Sequence, residues 1–374
     1  MNIKPLSLLT PRVELVPSMQ DLAVQVKDEI NTYMSNGWYK QMESSICIYQ
    51  IAAKGHIHTG ILALNDIRDF DQGKIKKHEK TLTKREEEYF ELLCRWKAVI
   101  KPVLLTFAPN PELTTWINAY LSAHTSSFNL AIPEYDEVHA YWLVTDPSKI
   151  TDIKAIFEKI PAVYIADGHH RTTAIANMYK RTDEEKQGLD FSHLFAAYFP
   201  DDQLDILGYH RVVALDNEAA AEQFIVSIKD KFGLILLHEP RLPLHKREVI
   251  VVYQGQFYAL DFSVNNPKSE TFPDVHDTYT LDTALLNDLV FTDILGVENV
   301  RSDKRITYLD GASGWTGMLR TAQNDTNKIG FLLFPVAIQD LYHLSDQGDS
   351  LPPKSTWFEP RIRSGLAVCS LLQN

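Results

Sequence analysis

Cysteine is scarce in this chain of 374 residues: Cys47, Cys94 and Cys369 are widely spaced, with no CxxC pair and no metal-finger spacing. That excludes a disulfide-stapled scaffold and a zinc module, and leaves buried, reduced thiols as the expectation. Long apolar runs are missing as well. The longest, Ile329–Ile338, contains Gly330 and Pro335 and has about half the length a bilayer-spanning helix needs, so it reads as a buried strand. No membrane partner is expected. The opening MNIKPLSLLTPRVELVPS carries neither a sustained apolar segment nor a small-residue cleavage site, which makes a cytoplasmic protein the expectation.

Positive charge is in deficit. Lys and Arg number 37 against 49 Asp and Glu, and the net −12 is spread along the chain, which argues against a nucleic-acid backbone as partner. The chemistry motifs with the sharpest signatures are absent too: no GxSxG, no HExxH, and the glycine-rich GASGWTG at Gly311–Gly317 lacks the Lys-Ser/Thr ending of a phosphate-binding Walker loop.

What is present is an ordinary globular composition, 45% apolar and 23% charged, with helical and strand-like patterns following one another throughout. The expected fold is α+β, mixed sheets with packed helices. Two regions are expected, residues 1–215 and 216–374, the second an α/β region whose C-terminal tail returns to the site of the first. Helices are expected over Met19–Ser35, from a capping box at Thr83-x-x-Glu86 to about Lys97, after Asn110-Pro111, after Asp146, from Asn217 to a stop at Gly233, and over Asp282–Leu295. Hairpins are expected around Lys54-Gly55 and Gln254-Gly255. The run from Asp66 to Glu88 is too polar to be core.

One segment concentrates chemistry. A strand, Val163–Ala166, runs through Asp167-Gly168 directly into a helix that opens His169-His170-Arg171-Thr172-Thr173. The first-turn N–H groups of a helix lack intrahelical acceptors, its dipole favours negative charge, and glycine lets an anion approach the backbone. Arg171 adds a planar donor fork suited to phosphate or carboxylate. Asp167, at the strand end, is placed to fix a histidine tautomer or to hold a Mg²⁺ accompanying a nucleotide. A second group of donors, Lys354, Ser355, Thr356, Arg361 and Arg363, lies on the proline-constrained tail and is suited to closing over an anionic ligand. His56 and His58 share a strand face and would make a metal pair with His169 or His170.

The YIADGHHR segment, GKIKKHE at Gly73–Glu79 with Thr59-Gly60 before it, and the tail PPKSTWFEPRIRSGL together resemble the bacterial proteins grouped as domain of unknown function 1015. The resemblance runs from about Ile46 to Leu366. The Asp-Gly-x-His-Arg unit is in turn similar to the nucleotide-phosphate motif of the ParB/sulfiredoxin-like superfamily, which includes free-serine kinases, sulfiredoxins and CTP-binding partition proteins. That resemblance implies phosphate contacts at Gly168, His170 and Arg171, extended here to Thr172 and Thr173, with ATP or ADP and Mg²⁺ as the ligands. It also implies a glutamate base on another segment, for which Glu79 is the local candidate, beside Asp167 and His169 as catalytic residues. The first expectation is a nucleotide-dependent phosphotransferase acting on a small polar metabolite, with an amino acid such as serine as the candidate acceptor. The second is a non-catalytic nucleotide-binding regulatory module, and the third a metal-dependent hydrolase; homo-oligomerisation is left open.

Overall fold

The computed structural model describes residues 1–264 and 281–372 and divides the chain into two compact units. One is Met1–Asp205 with Pro360–Asn374; the other is Ile206–Glu359. The boundary expected at 215–216 falls inside the second unit, because the strand His210–Ala214 pairs with Ile306–Leu309 and Lys328–Leu333. The tail is likewise split, since Pro360 onward belongs to the first unit.

The first unit is a mixed α/β structure built on a twelve-stranded sheet. From one edge the strand order runs Ile75–Lys76, Val163–Asp167, Val103–Phe107, His193–Pro200, His56–Asp66, Tyr39–Ala53. The hairpin of the last two closes through Lys54 and Gly55, both at positive φ (52° and 81°), the twist-matched turn the sequence announces. Gly60 lies on this hairpin where a Cβ would fall 2.4 Å from the carbonyl oxygen of Tyr198 and 2.8 Å from the Phe199 ring. Gly60→Ala is therefore expected to lower stability by on the order of 1–3 kcal/mol, read as a lower urea midpoint at unchanged slope.

Several helices start where side-chain caps put them: Asn110 accepts from Leu113 N ahead of Pro111–Ala123, and Asp146 from Ser148 N ahead of Pro147–Glu158. Thr83 does not cap. It is the first residue of the helix Thr83–Trp96, which follows Leu82 and has no side-chain cap, so the expected capping box is absent. The polar run before it is less exposed than its composition suggests, with Ile75 and His78 both buried and Ile75–Lys76 paired parallel to Val163–Tyr164.

The second unit is a six-stranded antiparallel sheet covered by the helix Glu218–Phe232, capped by Asn217 and stopped at Gly233. The expected helix over Asp282–Leu295 is a single α turn, Asp282–Leu285, continued as a π-helical stretch, Leu286–Thr292. Phe224, Ile228, Phe291 and Phe331 share its main core. The apolar run Ile329–Ile338 splits into a strand, Lys328–Leu333, and the start of a helix, Ile338–Gln347. Among the described residues no helix is long and apolar enough to cross a membrane. All three cysteines are free, with Cys47 and Cys369 buried and Cys94 half-buried.

Candidate functional site

The strand Val163–Asp167 pairs antiparallel with Val103–Phe107, and its register slips between Ile165 and Asp167. Such a bulge re-aims the residue that follows it. Asp167, still paired with Leu104, is the strand's last residue after that slip, at the point where Gly168, at φ 111°, starts the helix His169–Tyr179. No side chain caps this helix, and Thr172 N is the first amide to bond back, to Gly168 O at 2.9 Å. The Thr172 hydroxyl donates to the same carbonyl at 3.2 Å, so buried Thr172 supports the turn.

Arg171 folds back over Gly168. A Cβ on Gly168 would sit 2.7 Å from Arg171 Nη2 and 3.0 Å from its Nε, and the positive φ adds backbone strain. Gly168→Ala is therefore expected to displace the Arg171 fork and weaken anion binding at least tenfold in a titration, an effect on the order of 1.4 kcal/mol or more. Arg171 Nη2 donates to Asp167 Oδ2 (3.2 Å) and to the carbonyl of Pro102 (3.3 Å). Its Nε and the Thr173 hydroxyl are buried without a hydrogen-bond partner, as is the hydroxyl of Tyr89 on the neighbouring helix. Buried polar atoms of this kind call for a partner, so their clustering beside an uncapped helix start fits a polyoxygen anion.

Lys101, which sequence reasoning missed, is the residue that most changes the picture. Its Nζ donates to Asp167 Oδ2 at 2.8 Å, with only 14% of the side chain exposed. Burial above all, with the neighbouring Arg171 and Arg361, lowers its pKa to about 8 against the opposing pull of Asp167. Burial would raise the Asp167 carboxyl, but Lys101, Arg171 and Arg361 together hold it well below the usual carboxylate range. Asp167 is thus a charge-balancing carboxylate among three cations. It does not fit a divalent metal, and among the described residues no group of three His, Cys, Asp or Glu side chains is placed to hold one. His58, offered as part of a metal pair, has its Nδ1 2.9 Å from the carbonyl oxygen of Gln203.

On the other side of the helix start stands the Lys74–Lys80 segment. His78 N–H donates to His169 Nε2 (3.5 Å), and the two imidazoles meet edge to face with centroids 4.4 Å apart. With Nε2 accepting, His169 carries its proton on Nδ1, which faces Glu79 Oε2 at 3.6 Å. Burial pushes His78 down to about 3; burial and the neighbouring His78 push His169 well below its ordinary value. Both are neutral at pH 7, whereas the unfolded chain binds these protons from about pH 6.5 downward. Stability contributed by the neutral pair is therefore complete above that pH and is lost as pH falls from about 6.5 toward 3. His78→Phe should flatten part of this dependence in denaturation midpoints measured at pH 7 and 5.

Of the remaining expected residues, His170 is half-buried beside His169, and Arg361 acts electrostatically on both Asp167 and Lys101. Lys354, Ser355 and Thr356 belong to the second unit. There Lys354 stands over the Tyr209 ring at 5.2 Å, while the Ser355 hydroxyl donates to Pro352 O (2.7 Å) and pairs with the Thr283 hydroxyl (3.1 Å). Thr356 opens the strand Thr356–Glu359.

Among curated proteins none matches the sequence. Solved structures similar to this chain include SbnI with a C-terminal truncation from Staphylococcus aureus, at 10% identity and a TM-score of 0.41, covering 81% of this chain and 84% of that one. A free serine kinase variant in complex with ADP is similar at 13% identity and a TM-score of 0.38, covering 81% and 92%. A conserved hypothetical protein from Pyrococcus furiosus follows at 13% and 0.34, covering 81% and 93%. These likenesses are remote, and the chemistry rests on the site's own residues. The sequence itself gives the firmer relationship: the model of the family described as protein of unknown function (DUF1015) matches residues 5–284, and the chain belongs to that family.

Proposed function

We propose that the first unit binds the phosphate end of a nucleotide, ADP or ATP, at the start of the helix His169–Tyr179 and transfers its terminal phosphoryl group to the hydroxyl of a small polar metabolite. The observation that carries this reading is the two-sided arrangement around one helix N-terminus. Arg171 and Lys101 converge beside Gly168, while Glu79 lies 3.6 Å from His169 Nδ1 on the other side.

Phosphate oxygens would rest on the first-turn amides with Arg171 gripping in a fork, and the Thr173 hydroxyl and Arg171 Nε would gain acceptors. The cations stabilise charge as it shifts to the leaving nucleotide oxygen. Glu79 takes the acceptor's proton as the hydroxyl oxygen attacks phosphorus and the bond to the bridging oxygen breaks. The products are a phosphomonoester, the nucleotide shortened by one phosphate, and a proton. Neutral His169, its Nδ1–H directed at Glu79, orients the carboxylate without competing for that proton. A Mg²⁺ carried by the nucleotide would neutralise further phosphate charge.

The test is acceptor-dependent turnover. Purified protein with ADP or ATP and a panel of hydroxyl amino acids and other polar alcohols should form shortened nucleotide and phosphomonoester in equal amounts, only when an accepted alcohol is present. Nucleotide binding with no transfer to any acceptor would favour the regulatory-module reading.

A further inference from the structure

We infer that Lys101 is a direct ligand of the terminal phosphate, handed over from Asp167 when the anion binds, so that the site selects a phosphate dianion; this rests on the phosphate-binding reading above. Lys101 Nζ and Arg171 Nη2 donate to the same oxygen, Asp167 Oδ2, at 2.8 and 3.2 Å. Two donors aimed at one anionic oxygen define the place where a ligand oxygen would be held. Asp167 is 30% exposed while its two partners are 14% and 16% exposed, so the carboxylate is the solvent-facing member of the trio and has room to turn aside, leaving both donors to an incoming anion.

The backbone around Lys101 is fixed on both sides. The carbonyl of Ile100 accepts from Gly365 N at 2.7 Å, and the carbonyl of Pro102 accepts from Arg171 Nη2 at 3.3 Å. Gly365 lies on the returning segment that also carries Arg361, and that segment is anchored by Arg363, whose fork closes on Glu137 with Nε at 2.8 Å from Oε2. Lys101 is thus held in place and needs only side-chain rotation to change partners.

Charge decides the ligand class. Lys101 and Arg171 share the single charge of Asp167, with Arg361 acting on both Lys101 and Asp167, so the group carries a positive excess that complements a terminal phosphate dianion better than a phosphodiester or a carboxylate monoanion. The other ionisable groups at this helix start are His78 and His169, both buried and neutral, Glu79 beside His169, half-buried His170, and Tyr89, which burial pushes up to about 12 against the pull of Arg171. Arginine keeps its proton at all relevant pH values, so of the three cations only Lys101 can lose its charge in the mildly alkaline range.

Titration calorimetry of the full chain with ADP, inorganic phosphate and cyclic AMP, at pH 7.5 and 9.5, tests this. For wild type, affinity for ADP and for phosphate should fall about tenfold or more between the two pH values as Lys101 loses its proton, and cyclic AMP, a phosphodiester, should bind far more weakly than either. Lys101→Arg should remove that pH dependence. Lys101→Met should bind weakly at both values, with a melting temperature that confirms the fold. ADP binding that Lys101→Met leaves at wild-type strength would overturn the Lys101 assignment and leave the nucleotide reading standing. Phosphate binding with the expected dependence, but no ADP binding, would retain Lys101 and remove the nucleotide. Failure of both probes would remove both.

Discussion

Glu79→Gln is expected to slow phosphoryl transfer by on the order of 10²–10⁴ while nucleotide affinity stays near its wild-type value. The exchange keeps the side chain's size and its ability to meet His169 Nδ1–H, now 3.6 Å from Glu79 Oε2, and removes only the basic oxygen. Glu79 is also 37% exposed, so the carboxylate has an open side on which an acceptor hydroxyl can settle. A structural role would give a different signature, with stability and nucleotide affinity falling alongside turnover. Glu79→Gln turning over at the wild-type rate would remove the base and leave the phosphate site untouched.

Arg171→Ala is expected to weaken binding of ADP by roughly ten- to a hundredfold, the effect of losing charge-assisted hydrogen bonds on the order of 1.5–3 kcal/mol. The fold should survive, because Asp167 keeps its bond from Lys101 at 2.8 Å and so is not left as an unpaired charge. Arg171→Lys should recover little. The arginine bonds Asp167 and the carbonyl of Pro102 through Nη2 and holds Nε beside Gly168 as a second donor in the same rigid plane, which a single ammonium lacks. Unchanged ADP affinity in either variant would contradict the role of this helix start.

The parts of the fold that were legible in the sequence are those with local causes. Asn110, Asp146 and Asn217 announce helix starts because a short polar side chain caps within three residues, and Gly233 announces an end for an equally local reason. The strand, Gly168 and helix unit was legible on the same grounds. Elements held by distant partners were not. Leu6–Pro11 is a strand only because Tyr39–Ser45 and Val368–Cys369 flank it, and Pro5 just before it and Pro11 at its end conceal it. Leu234–Glu239 is a short apolar stretch with the composition of a strand, yet only Ile235–Leu236 pair and Ile235 is 69% exposed.

The candidate site follows the same division. Gly168, His169, Arg171 and the position of Glu79 follow from a continuous motif and one marked loop. Lys101 stands 66 residues from Asp167 and looks like any loop lysine ahead of a proline. Only the pairing of Val103–Phe107 with Val163–Asp167 brings it to the helix start, so its signal lies in strand order.

The central claim is that this helix start holds the phosphate end of a nucleotide, and thermal unfolding of the purified chain with ADP at increasing concentration tests it most directly. A saturable rise in melting temperature is predicted, corresponding to about 2.7 kcal/mol at a hundredfold excess over the dissociation constant, and lost in Arg171→Ala. No rise with ADP, ATP or inorganic phosphate, or a rise of equal size in Arg171→Ala, would contradict the claim.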